Sequence, residues 1–206
     1  TQAFFPTRVS QHYDLQPAQA GSVTLTLVNT ISGEISGTVF EPDGITSAGG
    51  GVEVTLNGPL PDVTVFTNAL GRFAFAKILP AGSYRLTARD PITGLVERST
   101  IYIAPLVDAV HDIRLKGKAK VRVSVTDALA QPVSQAYVTL REVAFPNRVF
   151  EGVVAASNQG VIEFPGVFEG AVSIEARDSF GRGGRSSLTI PTGVSTVDAV
   201  VRLSTT

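Results

Sequence analysis

Residues 71–90, GRFAFAKILPAGSYRLTARD, read as a strand, a tight corner and a second strand. Phe73 and Phe75 alternate with small or charged neighbours, Pro80, Ala81 and Gly82 interrupt the run, and Tyr84, Leu86 and Ala88 resume it. A period of two places one face of each segment in a core. Residues 160–178, GVIEFPGVFEGAVSIEARD, repeat the pattern, with Gly160, Phe164 and Gly170 standing where Gly71, Phe75 and Gly82 stand. A block that recurs at long spacing marks a unit of domain size, and such units are sought before any single motif.

The register of the repeat extends beyond these stretches. Arg89 and Arg177 are 88 residues apart, as are Arg114 and Arg202, and Gly71 and Gly160 are 89 apart. A period this long means tandem domains; a solenoid repeats every few tens of residues. The same alternation marks Val52/Val54/Leu56, Val121/Val123/Val125, Val138/Leu140, Val172/Ile174/Ala176 and Leu188/Ile190 as strands. Turn formers separate them, among them Pro42-Asp43-Gly44, Thr93-Gly94 and Asn158-Gln159-Gly160, where Pro fixes φ and Gly or Asn tolerates positive φ. No amphipathic helix pattern is present. The expected fold is all-β, as tandem Greek-key sandwiches of transthyretin-like or Ig-like type.

The expected boundaries are 32–116 for the first repeat and 117–206 for the second. Arg98-Ser99-Thr100 precedes Leu115 by 17 positions and Arg185-Ser186-Ser187 precedes Leu203 by 18, each as a hairpin before a final strand. Arg8-Val9-Ser10 precedes Leu27 by 19, so residues 1–31 read as the last hairpin of a preceding repeat. The chain opens at Thr1 and contains no Met, the pattern of a mature product or an excised piece.

Composition bounds the chemistry. Hydrophobic residues make up 43% of 206, enough for a sizeable core. The 17 basic and 18 acidic residues leave a net charge of −1, so no overall field draws nucleic acid or an anionic membrane. Cysteine is absent, which removes disulfides, thiolate metal sites and cysteine nucleophiles. No apolar run approaches the roughly 20 residues of a membrane span.

Four blocks carry a family resemblance: residues 34–44 (EISGTVFEPDG), 51–56 (GVEVTL), 68–75 (NALGRFAF) and 79–86 (LPAGSYRL). In order and spacing they resemble the carboxypeptidase regulatory-like domain, a transthyretin-like sandwich. The second repeat is a degenerate version: Val161 stands at the place of Arg72, Glu163 at that of Ala74, and Phe168-Glu169-Gly170 shortens the corner by one residue. The resemblance implies a module without catalytic residues or cofactor, strung in larger exported or surface proteins as a spacer, adhesive or assembly element. Its motif residues are structural: Gly71 and Gly160 close turns of type I′ or bulged geometry, Phe73, Phe75 and Phe164 fill cores, and Gly82, Tyr84 and Gly170 shape the corner, with the Tyr84 hydroxyl bonded to backbone.

Other candidates are weighed on their own chemistry. His12 and His111 are the two histidines; they lack the clustered partners of a metal site and read as solvated. Asp90 and Asp178 follow Arg89 and Arg177; one carboxylate per loop is too few for calcium, and each reads as a turn residue paired to a nearby Arg. Residues 177–186 gather Arg177, Arg182 and Arg185 on a flexible tip, the candidate interaction loop for an acidic surface. With no Trp and four Tyr, of which Tyr84 and Tyr137 are expected inside, few aromatic platforms remain for a glycan. A Lys-to-Asn cross-link of pilin type is not expected, because residues 194–203 contain no Asn.

The expected role is a non-enzymatic spacer or protein-interaction module of an exported, cell-surface, bacterial multidomain protein, with neighbouring domains as its partners. One alternative is an adhesin module binding a glycan or a surface protein through loops 58–66, 144–152 and 177–186. The other is an accessory domain of a peptidase or of a toxin-like shell protein. The short linker at residues 116–120 predicts a semi-rigid rod.

Overall fold

The computed structural model describes residues 31–59, 61–104 and 107–204. The expected hairpin at 1–31, and His12 with it, lies outside them apart from Ile31. Among the described residues, fifteen strands and one 3-10 turn form two sandwiches with separate cores.

In the first sandwich β1 (Ile31–Phe40) lies between β4 (Arg72–Pro80), antiparallel to it, and two short parallel strands, β7 (Ala109–Val110) and β8 (Ile113–Arg114). The facing sheet has the order β3 (Val63–Phe66), β2 (Glu53–Asn57), β5 (Gly82–Arg89), β6 (Val96–Ile103). The second sandwich repeats this plan. One sheet is β12 (Val161–Phe168), β9 (Lys118–Thr126), β15 (Thr196–Arg202), and the other is β11 (Val149–Val153), β10 (Tyr137–Glu142), β13 (Gly170–Arg177), β14 (Gly183–Ile190). In both, the chain leaves the first strand, builds two strands of the opposite sheet and returns beside its start, which is a Greek-key path.

Alternation decides which face is buried. Tyr84, Leu86 and Ala88 of β5 point inward, as do Val172, Ile174 and Ala176 of β13, while their neighbours face out. Matched cores follow: Ile35, Val39, Phe73 and Phe75 in one, Val121, Val125 and Phe164 in the other. Phe73 and Phe75 meet edge to face with ring centres 6.0 Å apart.

The opening stretch is therefore β4, a corner between sheets, and β5. Tyr84 is 1% exposed and its hydroxyl donates to the Pro80 carbonyl at 2.9 Å. Gly71 (φ 72°) and Gly160 (φ 83°) sit at the entry to β4 and β12, in the left-handed region that a side chain disfavours. Their carbonyls accept the amides of Val39 and Val125, each at 2.8 Å. A Cβ at Gly71 would stand 2.9 Å from the Val39 oxygen, and one at Gly160 2.8 Å from the Val125 oxygen. The turns before these two glycines differ. Asn68 builds the first by accepting the amides of Leu70 and Arg72 on its side chain, whereas a 3-10 turn at Ala156–Asn158 builds the second.

Two local readings are corrected. Tyr137 is 44% exposed, because the register that buries Val138 and Leu140 turns it outward. Arg98-Ser99-Thr100 and Arg185-Ser186-Ser187 lie in β6 and β14, the second strands of the hairpins formed with β5 and β13. The loop at 177–186 is shorter than expected: Arg177 ends β13, Arg185 is in β14, and the turn occupies only residues 178–182.

Candidate functional site: the junction of the two sandwiches

Residues 115–118 join the last strand of one sandwich to the first strand of the next, and their cations are spent on contacts rather than left in solvent. Arg114 donates to the Pro42 carbonyl at 2.9 Å and pairs with Glu169, the corner residue between β12 and β13. Lys116 donates to the Phe145 carbonyl at 2.7 Å, across the junction, and approaches Glu97 of its own sandwich at 4.0 Å. Lys118 reaches the opposite way, donating to the Thr93 carbonyl at 2.9 Å. The Glu169 amide donates to the Gly117 carbonyl at 2.9 Å. The Arg98 guanidinium of β6 stands over the Phe145 ring, 3.8 Å from its centre, a contact worth about 0.5–2 kcal/mol.

A second layer supports the receiving surface. Glu142, only 4% exposed, is held by Arg148 at 2.7 Å and by the Phe168 amide at 2.9 Å. Arg148 in turn stands over Phe168 at 4.2 Å and Phe150 at 5.0 Å. Burial lowers the Lys118 pKa, the Arg148 charge adds to that effect, and Asp90 and Glu142 oppose it. The Glu169 side chain is 7% exposed, and its Oε2 has no hydrogen-bond partner among the described residues. A buried carboxylate carries a large desolvation cost unless a cation stays beside it, so Arg114 and Glu169 depend on the junction being closed. A Cβ on Gly117 would stand 3.3 Å from that same oxygen and 3.4 Å from Pro42.

The equivalent turns Asp90–Gly94 and Asp178–Arg182 mark the two ends where such a contact could form. Each Asp is 8% exposed. Asp90 accepts the Ile92 amide at 2.9 Å and the Thr93 hydroxyl. Burial tends to raise its pKa, but these bonds and the Lys118 charge outweigh it, so the carboxyl titrates below its ordinary value. Asp178 accepts the Phe180 and Arg182 amides and the Arg182 guanidinium, the last at 2.6 Å. Its pKa is likewise lowered, against the effect of burial, chiefly by Arg182. The Arg partner of Asp178 is thus Arg182, four residues on, and the neighbouring Arg177 faces away at the end of β13. Phe180 at this turn is 82% exposed.

The candidate residues named from sequence fall into two sets. Gly71, Phe73, Phe75, Gly82, Tyr84, Gly160 and Phe164 sit at corners and in cores away from the junction contacts, while Gly170 follows Glu169 at the corner that the junction uses. Arg177, Arg182 and Arg185 lie at the opposite end of the second sandwich, where Arg185 pairs with Glu175 at 3.1 Å. Loop 144–152 is engaged by Arg98 and Lys116, so it does not join 177–186 in one exposed cluster. Glu169, Phe145, Arg148 and Glu142 were not singled out from sequence. Their only signal there was Glu169 replacing Ala81 at the shortened corner. His111 donates to or accepts from the Ser99 hydroxyl at 2.8 Å. Among the described residues no group of three or more His, Asp or Glu is placed to hold a metal ion, and no helix is long and apolar enough to cross a membrane.

No protein-family model and no curated protein sequence matches the chain. Solved structures do. Over 84% of this chain it is similar to the Bacillus anthracis TIE protein, at 14% identity and TM-score 0.37, covering 34% of that chain. Over 85% it is similar to a streptococcal ancillary pilin, at 14% identity and TM-score 0.43, covering 64% of that chain. Over 85% it is also similar to the shaft pilin SpaA of Lactobacillus rhamnosus GG, at 11% identity and TM-score 0.32, covering 98% of that chain. The chain thus spans about a third of the first of these proteins and just under two thirds of the second.

Proposed function

We propose that the chain is a non-enzymatic structural segment of an exported surface protein, in which modules 32–116 and 117–206 are set in series at a fixed angle. The observation that carries this reading is the reciprocal lacing of the linker: Lys116 bonds forward to Phe145 and Lys118 bonds back to Thr93. A linker meant to swing keeps its lysines solvated, whereas these are committed to carbonyl oxygens on opposite sides of the joint. Pilin-like neighbours agree with a surface role without identifying one. The partners on this reading are adjoining modules of the same polypeptide.

Trypsin tests it directly, because Lys116, Lys118 and Lys120 are all cleavage sites. In the native protein the linker is expected to resist, with first cuts falling at exposed arginines elsewhere. Immediate cleavage after Lys116 or Lys118, releasing the two modules, would overturn the reading.

A further inference from the structure

The two sandwiches differ on the outer face of the sheet that contains their first strand. On the second, Lys120 pairs with Glu163 at 3.0 Å, Glu163 with Arg122 at 3.4 Å and Arg122 with Asp198 at 3.5 Å, so a charged ladder covers β12, β9 and β15. Strand pairing fixes the equivalences: Arg122 lies opposite Glu163 and Asp198 as Ser36 lies opposite Ala74 and Val110. The ladder is therefore replaced in the first sandwich by a small hydroxyl, a methyl and a valine.

The last strand is also broken there. The His111 carbonyl swings over Gly37, where a Cβ would stand 2.0 Å from it, and the Asp112 carboxylate takes the Thr38 amide at 2.8 Å. The result is an open groove of about 590 Å³ lined by Ser36, Thr38, Phe66, Asn68, Arg72 and Asp112, among others. Phe66 is 64% exposed. The Arg72 guanidinium pairs with no carboxylate among the described residues, and Asp112 uses only Oδ1 internally.

We propose that this groove binds a saccharide carrying a carboxylate, a uronate-containing disaccharide being the simplest example. An unpaired guanidinium recognises a carboxylate in bidentate fashion. A free carboxylate oxygen and two hydroxyls accept and donate to sugar hydroxyls, and an exposed ring offers the apolar face of a sugar a flat surface. Arg72 of β4 lies beside Thr38 on one side and Asp112, in the break between β7 and β8, caps the Thr38 amide on the other, so a ligand seated over Thr38 meets a cation and a carboxylate at once. The volume falls in the ordinary range of ligand sites, and the lining sets Ser36, Thr38, Asn68, Arg72 and Asp112 beside the apolar Phe66 and Val110, the mixture that a sugar's hydroxyl rim and apolar face call for. This site shares no residue with the junction, so either proposal stands if the other fails.

The test is an NMR titration of the ¹⁵N-labelled chain with glucuronosyl-β-1,4-glucose and, in parallel, with uncharged cellobiose. Saturable shifts at Ser36, Thr38, Phe66, Asn68 and Arg72 with the uronate, and weaker binding of cellobiose, are expected. Arg72→Gln should weaken uronate binding at least about tenfold, and Phe66→Ala should weaken both sugars; both residues are at the surface, and the spectrum itself reports that the variants are folded. Arg122→Gln, on the equivalent face of the second sandwich, should change nothing. Absence of saturable shifts at millimolar uronate, or uronate binding unaltered by Arg72→Gln, would overturn the proposal.

Discussion

The turns at Asp90 and Asp178 are built alike, yet one is covered and the other is open. Both place a buried carboxylate under local amide donors at the end of equivalent strands. At the first, Lys118 of the following sandwich closes over Thr93. At the second, Phe180 stands exposed and Arg182 folds back on Asp178 to supply the positive charge that Lys118 supplies to Asp90. The comparison teaches that the turn is a stable unit in either setting, and that the neighbour adds contacts to it without being needed to form it.

The largest expected effects separate the two cores. Leu86→Ala and Ile174→Ala each remove a fully buried side chain from the centre of β5 or β13 and should cost about 2–5 kcal/mol. Urea denaturation followed residue by residue should show each substitution melting its own sandwich first. A single shared transition in both variants would break the picture of two independent cores.

Next come the turn glycines. Gly71→Ala and Gly160→Ala force a side chain into positive φ and against a backbone carbonyl, a strain of about 1–3 kcal/mol. Equal losses, read as shifts in the denaturation midpoint, would confirm that two differently built turns meet the same steric demand. A neutral substitution at either glycine would show that its turn can relax.

Acid sharpens the contrast between the two aspartates. Both have folded pKa values below their ordinary value. Each therefore contributes stability that is complete above the unfolded pKa of about 3.9 and fades as pH falls through the folded value. Asp90→Asn and Asp178→Asn should each flatten the loss of thermal stability between neutral and acidic pH. High salt should diminish the Asp178 effect more, because the Arg182 charge supplies much of it, whereas Asp90 is held chiefly by the Thr93 hydroxyl and local amides. A steeper acid loss in either variant would contradict the assignment.

The smallest effect is expected at Arg185. Its pair with Glu175 is 82% and 58% exposed, and Arg185→Ala should change stability by less than about 1 kcal/mol. A larger loss would mean that this end of the second sandwich is held by something beyond the visible pair.

Sheet and core were legible in the sequence because alternation is strict in β5, β9 and β13, where one face is wholly buried and a slip of one residue would expose every apolar side chain. The repeat then carried the plan of one sandwich onto the other. The junction was far less legible. Lys116, Lys118 and Lys120 recur at a spacing of two, which in a linker reads as solvated charge. The partners of Lys116 and Lys118 are backbone carbonyls at Phe145 and Thr93, which leave no trace in side-chain identity. Phe145, Arg148 and Glu169 are scattered over three segments that only the fold brings together. The groove on the first sandwich was hidden for a related reason, since it arises from a break between β7 and β8 that Val110, His111 and Asp112 do not announce.

The central claim is that the two sandwiches hold one orientation through the Arg114–Glu169, Lys116–Phe145 and Lys118–Thr93 contacts. Backbone residual dipolar couplings, measured for both in a single alignment medium, test it most directly. The account predicts that couplings from β1–β8 and from β9–β15 fit one alignment tensor, and that Arg114→Ala splits them into two. Two tensors of different magnitude in the unmodified protein would show independent motion and contradict the account.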